Sequence, residues 1–268
     1  MKCLIVSDLH YTLKQYDWVA RVAESFDCVV IAGDHLDISS AVSLDAQVVV
    51  ILKYLQRVGV KTKLLVSSGN HDLTARDGDE EKIARWMTRV RLLGVPTDGD
   101  WFEIGDTAFT ICPWWDGPCA RERVDAQLAR DAERRPAKWI WVYHSPPDAS
   151  PVSWAGQKYI GDADVVRWIE RYRPNIVLTG HIHESPFRKG GSWVDRIGTT
   201  WVFNAGRQIG PVPTHIVIDT AEPRAMWFSL AGNEVVPLDQ PLTRPVATLL
   251  QETFESGSRS DPGECSSP

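Results

Sequence analysis

Acidic, imidazole and amide side chains recur in this 268-residue chain at the points where short apolar runs end. Imidazole nitrogen suits zinc and iron, whereas carboxylate oxygen suits manganese and harder cations. One ion takes three or four protein ligands, so a pool of this size could hold two ions. Two ions about 3.5–4 Å apart, which a carboxylate can bridge, form the clamp that cleaves phosphate esters. The clusters are Asp8-Leu9-His10, Gly33-Asp34-His35-Leu36-Asp37, Gly69-Asn70-His71-Asp72, His144 and Gly180-His181-Ile182-His183.

The elements that must position these clusters alternate between strand and helix over the first two-thirds of the chain, and the last third is mainly short strands. This pattern predicts an α/β fold in which two packed mixed β-sheets are flanked by helices, an α/β/β/α four-layer sandwich. The predicted helices are residues 13–24, 44–58, 80–93, 121–135 and 162–172. The predicted strands are residues 2–7, 28–32, 63–66, 101–104, 107–111, 139–143, 176–179, 193–197, 200–203, 215–218 and 225–229.

The position of the clusters at strand ends indicates a shared site. Ligands of open α/β sheets bind at the carboxyl ends of the strands, so we expect the clusters to converge on one crevice. A glycine precedes Asp34, Asn70 and His181, where it permits a tight turn and a close approach of the backbone. Asp34 alone could cap a helix, and Asn70 alone could belong to a turn. The ordered set favours a metal site.

The ordered set DxH, GDxxD, GNHD, a lone His and GHxH, which runs from Asp8 to His183, resembles the calcineurin-like metallophosphoesterases. The resemblance implies two divalent cations (manganese, iron or zinc) as cofactors. It implies that Asp34 bridges the ions and that a water activated between them attacks phosphorus. By the same resemblance, the first ion is held by Asp8, His10 and His183, and the second by Asn70, His144 and His181.

The resemblance also implies roles for side chains beside the ions. His71 would be the general acid that protonates the leaving group. Asp37 would orient His71, as carboxylates orient imidazoles around metals. Asp72 would do a similar job for His10 or His71. The catalytic pair predicted from the resemblance is therefore His71 and Asp37.

Substrate selection is expected from the loops around the metals. The loop PWWDGP, stiffened by two prolines, could present Trp114 and Trp115 to a base or another flat leaving group. Arg207 could meet a phosphate oxygen, because its planar fork suits that shape. Asn70 and His71 are expected to contact the substrate as well.

Histidines and cysteines outside these roles are expected to be structural or peripheral. His35 is expected at the rim of the site rather than on a metal, and His215 lies in a strand-like run. Cys3 and Cys28 lie in apolar runs and are typical of small buried residues. The five cysteines form no pair with zinc-ribbon spacing, and their odd number argues against a disulfide framework.

Proteins with several different functions share this set of predicted metal ligands. The run GHIHE, with Asn204-Ala205-Gly206 downstream, is similar to the phosphodiesterase branch of the superfamily. It favours a metal-dependent hydrolase of a small nucleotide-like or other phosphodiester. Ile38-Ser39 follows Asp37 where serine/threonine protein phosphatases carry Arg-Gly, so that class is disfavoured. A phosphomonoesterase, a DNA exonuclease of the same superfamily and a non-catalytic binding scaffold stay open as alternatives.

The amino-acid composition limits the classes of partner that the protein is expected to bind. The formal net charge is −6, whereas binding to nucleic acid or anionic membranes leaves a basic footprint. No apolar run approaches the roughly 18 residues of a membrane span, and no signal peptide is evident. We therefore expect a cytoplasmic protein whose partner is a small-molecule phosphate ester, with nucleic acid disfavoured and the oligomeric state open. The catalytic domain is expected over residues 1–232, followed by an extension over 233–268 that is disordered from about residue 252.

Overall fold

The computed structural model describes residues 1–249, so the tail expected from about residue 252 lies outside the described part. The helices are α1 Leu13–Val22, α2 Leu44–Gly59, α3 Met87–Leu92, α4 Pro118–Ala132 and α5 Ala163–Tyr172. The strands are β1 Lys2–Val6, β2 Cys28–Ala32, β3 Lys63–Ser67, β4 Ala75–Arg76, β5 Lys82–Ile83, β6 Trp101–Ile104, β7 Thr107–Ile111, β8 Lys138–Val142, β9 Ile176–Thr179, β10 Val194–Ile197, β11 Thr200–Asn204, β12 His215–Asp219, β13 Arg224–Ser229, β14 Gly232–Pro237 and β15 Ala247–Thr248. None of the helices within residues 1–249 has the length and apolar character that a membrane crossing requires.

Two mixed sheets form the centre of the fold. The first has the strand order β15-β14-β13-β12-β1-β2-β3, in which β1, β2 and β3 are parallel and the strands from β12 onward are antiparallel. The second has the order β10-β11-β9-β8-β7-β6, with four parallel strands between antiparallel edges. Strands β4 and β5 pair as a separate small hairpin.

The alternation of side chains along each strand divides the core into three layers of packing. On β1, Leu4 belongs to the core that includes residues of α1, α2 and α3, whereas Ile5 belongs to the core between the sheets. On β8, Ile140 faces the same inter-sheet core, and Trp141 belongs to the core beneath α4 and α5. Neighbouring residues of a strand point to opposite faces, so one strand serves two cores. The predicted α/β/β/α four-layer sandwich is confirmed.

Backbone contacts tie together the loops that follow the parallel strands. Asp8 N donates to Gly33 O at 3.1 Å, which joins the loops after β1 and β2. Gly180 N donates to His144 O at 2.9 Å, which joins the loops after β9 and β8. His181 N donates to Asp8 Oδ1 at 3.0 Å, and this bond connects the two sheets. The loops that carry the polar clusters therefore meet at one edge of the sandwich.

The segment 80–93 differs from the predicted helix. Lys82–Ile83 form β5, and α3 covers only the C-terminal half of the segment. The buried Glu81 carboxylate accepts hydrogen bonds from Cys119 N and Ala120 N, at 2.8 and 2.6 Å. These N–H groups lie in the first turn of α4, where a helix leaves its donors without internal partners. This contact with a distant helix outweighs the local helical pattern.

The domain boundary expected after residue 232 is not a boundary in the structure. Gly232–Pro237 pairs with β13, and β15 pairs with it in turn, so the first sheet continues beyond that point. Val236 is buried in the core between the sheets. Glu234 Oε2 accepts a hydrogen bond from Trp193 Nε1 at 2.6 Å. The chain through Thr248 therefore belongs to the sheet whose strands β1, β2 and β3 precede Asp8, Asp34 and Asn70.

Candidate metal centre and active site

The predicted metal ligands gather into two groups at the carboxyl edge of the sheets. The first ligand group has ligand atoms of Asp8, His10, Asp34 and His183 within 4.8 Å of one another. The second has those of Asp34, His144 and His181 at the same spacing, and Asn70 Oδ1 lies 2.9 Å from His181 Nδ1. Asp34 belongs to both groups, which is the position that a bridging carboxylate occupies.

The spacing within the first ligand group matches a coordination sphere. His10 Nε2 is 3.0 Å from His183 Nε2 and 3.6 Å from Asp34 Oδ2. His183 Nε2 is 3.2 Å from Asp8 Oδ1. Ligands that lie about 2.0–2.2 Å from one ion are themselves about 3 Å apart. One cation could therefore contact all of these atoms with little movement of the side chains.

The imidazoles present lone pairs to the centre. His144 Nδ1 lies 2.6 Å from Ala32 O, so Nδ1 carries the proton and donates it to that carbonyl. In the neutral ring the lone pair is then on His144 Nε2, which is buried 3.2 Å from Asp34 Oδ2 and has no hydrogen-bond partner among residues 1–249. His10 Nδ1 likewise lies 3.3 Å from Leu36 O, which leaves its Nε2 lone pair toward the first ligand group. A lone pair that faces a carboxylate is satisfied by a cation, so these residues fit a metal centre.

The ionisation of the site is consistent with cation binding. Burial lowers the pKa of His10 and the pKa of His181 to about 4, so both rings are neutral and able to ligate at neutral pH. Burial opposes a charge on His144, yet the carboxylates of Asp34 and Asp8 raise its pKa to about 9. Burial alone would raise the pKa of Asp34, but the charge of His144 holds it below its usual value. The carboxylates of Asp34 and Asp8 thus attract positive charge. A metal cation bound beside them would compete with the proton of His144.

Four of the predicted ligands have left-handed backbone conformations. The φ angles are 56° at Asp8, 40° at His10, 55° at Asp34 and 71° at His181. Residues with a side chain rarely adopt this region, and each such residue costs on the order of 1–3 kcal/mol. His71 N donates to Asp34 Oδ1 at 2.9 Å and helps to fix the strained loop. Strain concentrated at one edge of the sheets is typical of a functional site.

The glycine before Asn70 lies against the shared carboxylate, which leads to a prediction. A Cβ on Gly69 would collide with Asp34 Oδ1 and lie 2.6 Å from Asp34 N. We expect Gly69→Ala to displace Asp34 and to weaken metal binding by about 10–100-fold, the effect of disturbing a ligand's surroundings. Gly78→Ala is the matched control, because a Cβ at that position would have no atom of a non-adjacent residue within 4 Å in the described chain. Calorimetric titration with Mn²⁺ measures both, and equal affinities for the two variants would contradict the prediction.

Asp72 supports backbone rather than an imidazole. Asp72 Oδ1 accepts hydrogen bonds from His35 N and Leu36 N, at 3.0 and 3.1 Å. Its Oδ2 accepts from Gly69 N at 2.8 Å. The carboxyl group is fully buried, and burial raises its pKa to about 8. The expectation that Asp72 orients His10 or His71 is not met, because three backbone N–H groups occupy its oxygens and join the loops after β2 and β3.

His35 lies beneath the site and not at its rim, so that expectation is wrong. It is fully buried, with Nδ1 3.0 Å from Tyr16 Oη and Nε2 3.1 Å from Ser67 O. Burial lowers the pKa of His35 to about 4, so the ring is neutral. It supports the Asp34 loop from inside the fold. His215 packs against the Trp18 ring at 4.6 Å between centroids, in agreement with a structural role.

His71 faces the metal centre, and no carboxylate in the described part of the chain accepts a hydrogen bond from its ring. Its Nε2 is 4.0 Å from Asp34 Oδ2, and its Nδ1 is buried with no hydrogen-bond partner among residues 1–249. Asp37, which the resemblance placed beside His71, accepts a hydrogen bond from Ser39 N at 2.8 Å instead. Gln47 holds the Asp37 backbone N and O at 2.8 and 2.9 Å. A local turn therefore holds Asp37 Oδ1, and within residues 1–249 no hydrogen bond joins Asp37 to His71, so the orienting role of Asp37 stays a prediction.

The two predicted tryptophans stand beside the second ligand group. The Trp114 ring lies 5.1 Å from the His181 ring and 5.7 Å from the His144 ring, between centroids. Trp115 Nε1 donates to Asp162 Oδ2 at 3.0 Å. In the sequence, Asp162 stands out only as the first residue of a predicted helix, because a capping aspartate looks the same whether or not it faces a site. The tryptophan cleft, about 420 Å³ in volume, is lined by Trp114, Trp115, Asp116, Ser145, Ile160, Gly161, Asp162, Ala163 and His181.

Arg207 lies beside the first ligand group. Its backbone N donates to His183 O at 2.9 Å. The charge of Arg207 adds to the effects of burial and of His183 in lowering the pKa of His10. Its Nε is buried without a hydrogen-bond partner within the described chain. The predicted substrate residues therefore border the centre from both groups, Arg207 at the first and the tryptophans at the second.

A four-layer sandwich in which two ligand groups share one carboxylate is the arrangement of a dinuclear metallohydrolase. A family model described as calcineurin-like phosphoesterase matches residues 1–185, which contain every member of both ligand groups. The chain belongs to the calcineurin-like phosphoesterase family, which binds a dinuclear centre of divalent cations. No curated protein matches the sequence significantly.

Solved structures share the fold at low sequence identity. The protein TT1561 of Thermus thermophilus is 14% identical, with 88% of this chain and 98% of its own covered and a TM-score of 0.57. A putative 5′-nucleotidase from Staphylococcus aureus is 15% identical, with 91% of this chain and 56% of its own covered and a TM-score of 0.51. The purple acid phosphatase PPD1 from yellow lupin (Lupinus luteus) is 12% identical, with 92% and 53% covered and a TM-score of 0.50. At these identities the similarity shows a common fold.

Proposed function

We propose that the protein is a metal-dependent phosphodiesterase that hydrolyses small phosphodiesters, nucleotide-like ones among them, with manganese, iron or zinc in its centre. The observation that carries this proposal is the position of Asp34. Its carboxylate is common to the two ligand groups, which together offer carboxylate oxygen and imidazole nitrogen atoms. Arg207 borders the first group and the tryptophan cleft borders the second.

Each side chain has a task that follows from its position. Two divalent cations bound here would lower the pKa of water and polarise the phosphoryl oxygens. Arg207 would donate hydrogen bonds to a phosphoryl oxygen, and Asn70 would help to orient the phosphoryl group. His71 Nε2 lies 4.0 Å from Asp34 Oδ2, beside the metal centre. From this position it would give its proton to the leaving oxygen.

The tryptophan cleft supports a diester as the substrate. A diester carries a second substituent, and the cleft offers space for one next to the metal centre. It carries one negative charge, whereas a monoester near neutral pH carries nearly two. Asp116 and Asp162 line the cleft and would repel additional negative charge. The same carboxylates argue against a nucleic-acid strand in the cleft, because its phosphates require cations.

An assay on paired substrates tests the proposal. The protein is stripped of metal, reloaded with Mn²⁺ and given bis-p-nitrophenyl phosphate or p-nitrophenyl phosphate. We expect metal-dependent turnover with a higher kcat/KM for the diester. A higher kcat/KM for the monoester would overturn the proposed diester substrate and would leave the proposed metal-dependent hydrolysis standing. No turnover of either ester by protein shown to contain metal would overturn the proposed activity.

A further inference from the structure

The tryptophan cleft adjoins the metal centre closely enough to hold part of a substrate. His181, a member of the second ligand group, is part of the cleft lining. Trp114 packs over that histidine and extends the aromatic surface from the centre into the cleft. Trp115 and the half-exposed Ile160 add further apolar surface. A group bound in this cleft would lie beside the phosphoryl group under attack.

Two carboxylates in the lining are held by neutral donors. Asp162 Oδ2 accepts hydrogen bonds from Trp115 Nε1 at 3.0 Å and from Tyr143 Oη at 3.4 Å. Asp116 Oδ2 accepts from the backbone N of Lys82 at 3.1 Å. These bonds fix the carboxylates in place. None of these donors carries a positive charge.

The neighbouring cations are committed to a different carboxylate. Arg121 Nη1 lies 3.2 Å from Asp164 Oδ2, and Arg167 pairs with the other oxygen of Asp164. Over the part of the chain that the structure describes, neither Asp116 nor Asp162 takes part in an ion pair. No lysine or arginine is among the residues that line the cleft. The cleft therefore combines indole surface with two carboxylates that form no ion pair within residues 1–249.

This combination recognises positive charge. The faces of tryptophan rings attract ammonium groups, and quaternary ammonium ligands are bound in this way. Carboxylates without counter-ions attract a cation and repel an anion in the same place. We propose that the cleft binds the alcohol half of the ester and selects an alcohol that carries a positively charged amino or quaternary ammonium group. This inference rests on the proposed phosphodiesterase function and names the substrate class for it.

Three esters that differ in charge test the proposal. They are the methyl phosphodiesters of choline, of its uncharged isostere 3,3-dimethylbutanol and of 4-hydroxybutanoate. Hydrolysis of each ester by the Mn²⁺-loaded full chain is followed by phosphorus NMR. We expect kcat/KM to fall in that order. The ratio of choline ester to dimethylbutyl ester should be about tenfold higher in the wild type than in Asp162→Asn, since removing one carboxylate weakens cation binding by this order. Comparison between variants cancels the intrinsic reactivities of the two esters.

The variants separate specificity from folding and from activity. Asparagine is also a good N-cap, so Asp162→Asn keeps the start of α5. Asp116→Asn should lower the same ratio, and Glu122→Gln, outside the cleft lining, should leave it at the wild-type value. Ratios that are equal in all four proteins, or a preference for the anionic ester, would overturn the selectivity and leave the phosphodiesterase activity standing. If the protein hydrolysed none of the three esters and did not hydrolyse bis-p-nitrophenyl phosphate, that result would overturn the proposed function itself.

Discussion

Replacing Asp34 with asparagine should lower metal-dependent kcat/KM by about 10³-fold or more, because one carboxylate serves both ligand groups. Asp34 Oδ2 lies 3.2 Å from His144 Nε2 and 3.6 Å from His10 Nε2. An amide brings no negative charge and only one oxygen to this position. Metal ions contribute several kcal/mol to the stabilisation of the transition state, and each roughly 1.4 kcal/mol is a factor of ten in rate.

The measurement combines turnover of bis-p-nitrophenyl phosphate with the metal content after dialysis. Asp34→Asn should retain fewer than two ions per chain. Asp45→Asn removes an exposed carboxylate at the start of α2 and should match the wild type in both readouts. Thermal unfolding without metal checks that both variants fold. Full activity and full metal content in a folded Asp34→Asn protein would contradict the assignment of Asp34 as the shared ligand.

Replacing His71 with glutamine should lower kcat for esters of alkyl alcohols by about 10²–10⁴-fold, the range for the loss of a general acid. The loss should be smaller for p-nitrophenyl esters, because p-nitrophenolate leaves without needing a proton. Metal content should stay at the wild-type value, since His71 belongs to neither ligand group. Equal losses for both kinds of leaving group would contradict proton donation by His71.

Asp37→Asn, in the same assay, distinguishes the family-based expectation from the geometry. If Asp37 orients His71, Asp37→Asn should also lower kcat more for alkyl esters than for p-nitrophenyl esters. The loss should be smaller than the loss in His71→Gln. In the structure Asp37 Oδ1 accepts from Ser39 N, a bond that asparagine can also make. We therefore expect kcat/KM of Asp37→Asn to stay close to that of the wild type for both kinds of leaving group.

The strands and the meeting of the ligands could be predicted because they depend on local patterns. Residues 28–32, 101–104, 107–111 and 176–179 form strands with the predicted bounds. Apolar runs of strand length produce such elements, and the carboxyl ends of parallel strands meet whatever the details of packing. Polar residues placed after those runs are brought together as a consequence.

The features that could not be predicted depend on contacts between distant segments. Glu81 contacts the start of α4 from a segment with a helical pattern, and the sequence around Glu81 does not predict this contact. Asp72 and Asp37 are carboxylates beside histidines in the sequence, yet backbone N–H groups take both. Asp162 lines the cleft beside Trp115, a residue 47 positions away in the sequence that donates a hydrogen bond to it. In each case the partner of the side chain is set by tertiary packing and not by the residues next to it in the sequence.

The central claim, a dinuclear centre that hydrolyses phosphate esters, is tested most directly by titrating metal-free protein with Mn²⁺ while bound metal and turnover of bis-p-nitrophenyl phosphate are measured on the same samples. We predict that the protein binds two ions per chain and that turnover rises until both are bound. Turnover that is complete with one ion, or that is the same without metal, would contradict a centre built on the shared carboxylate of Asp34.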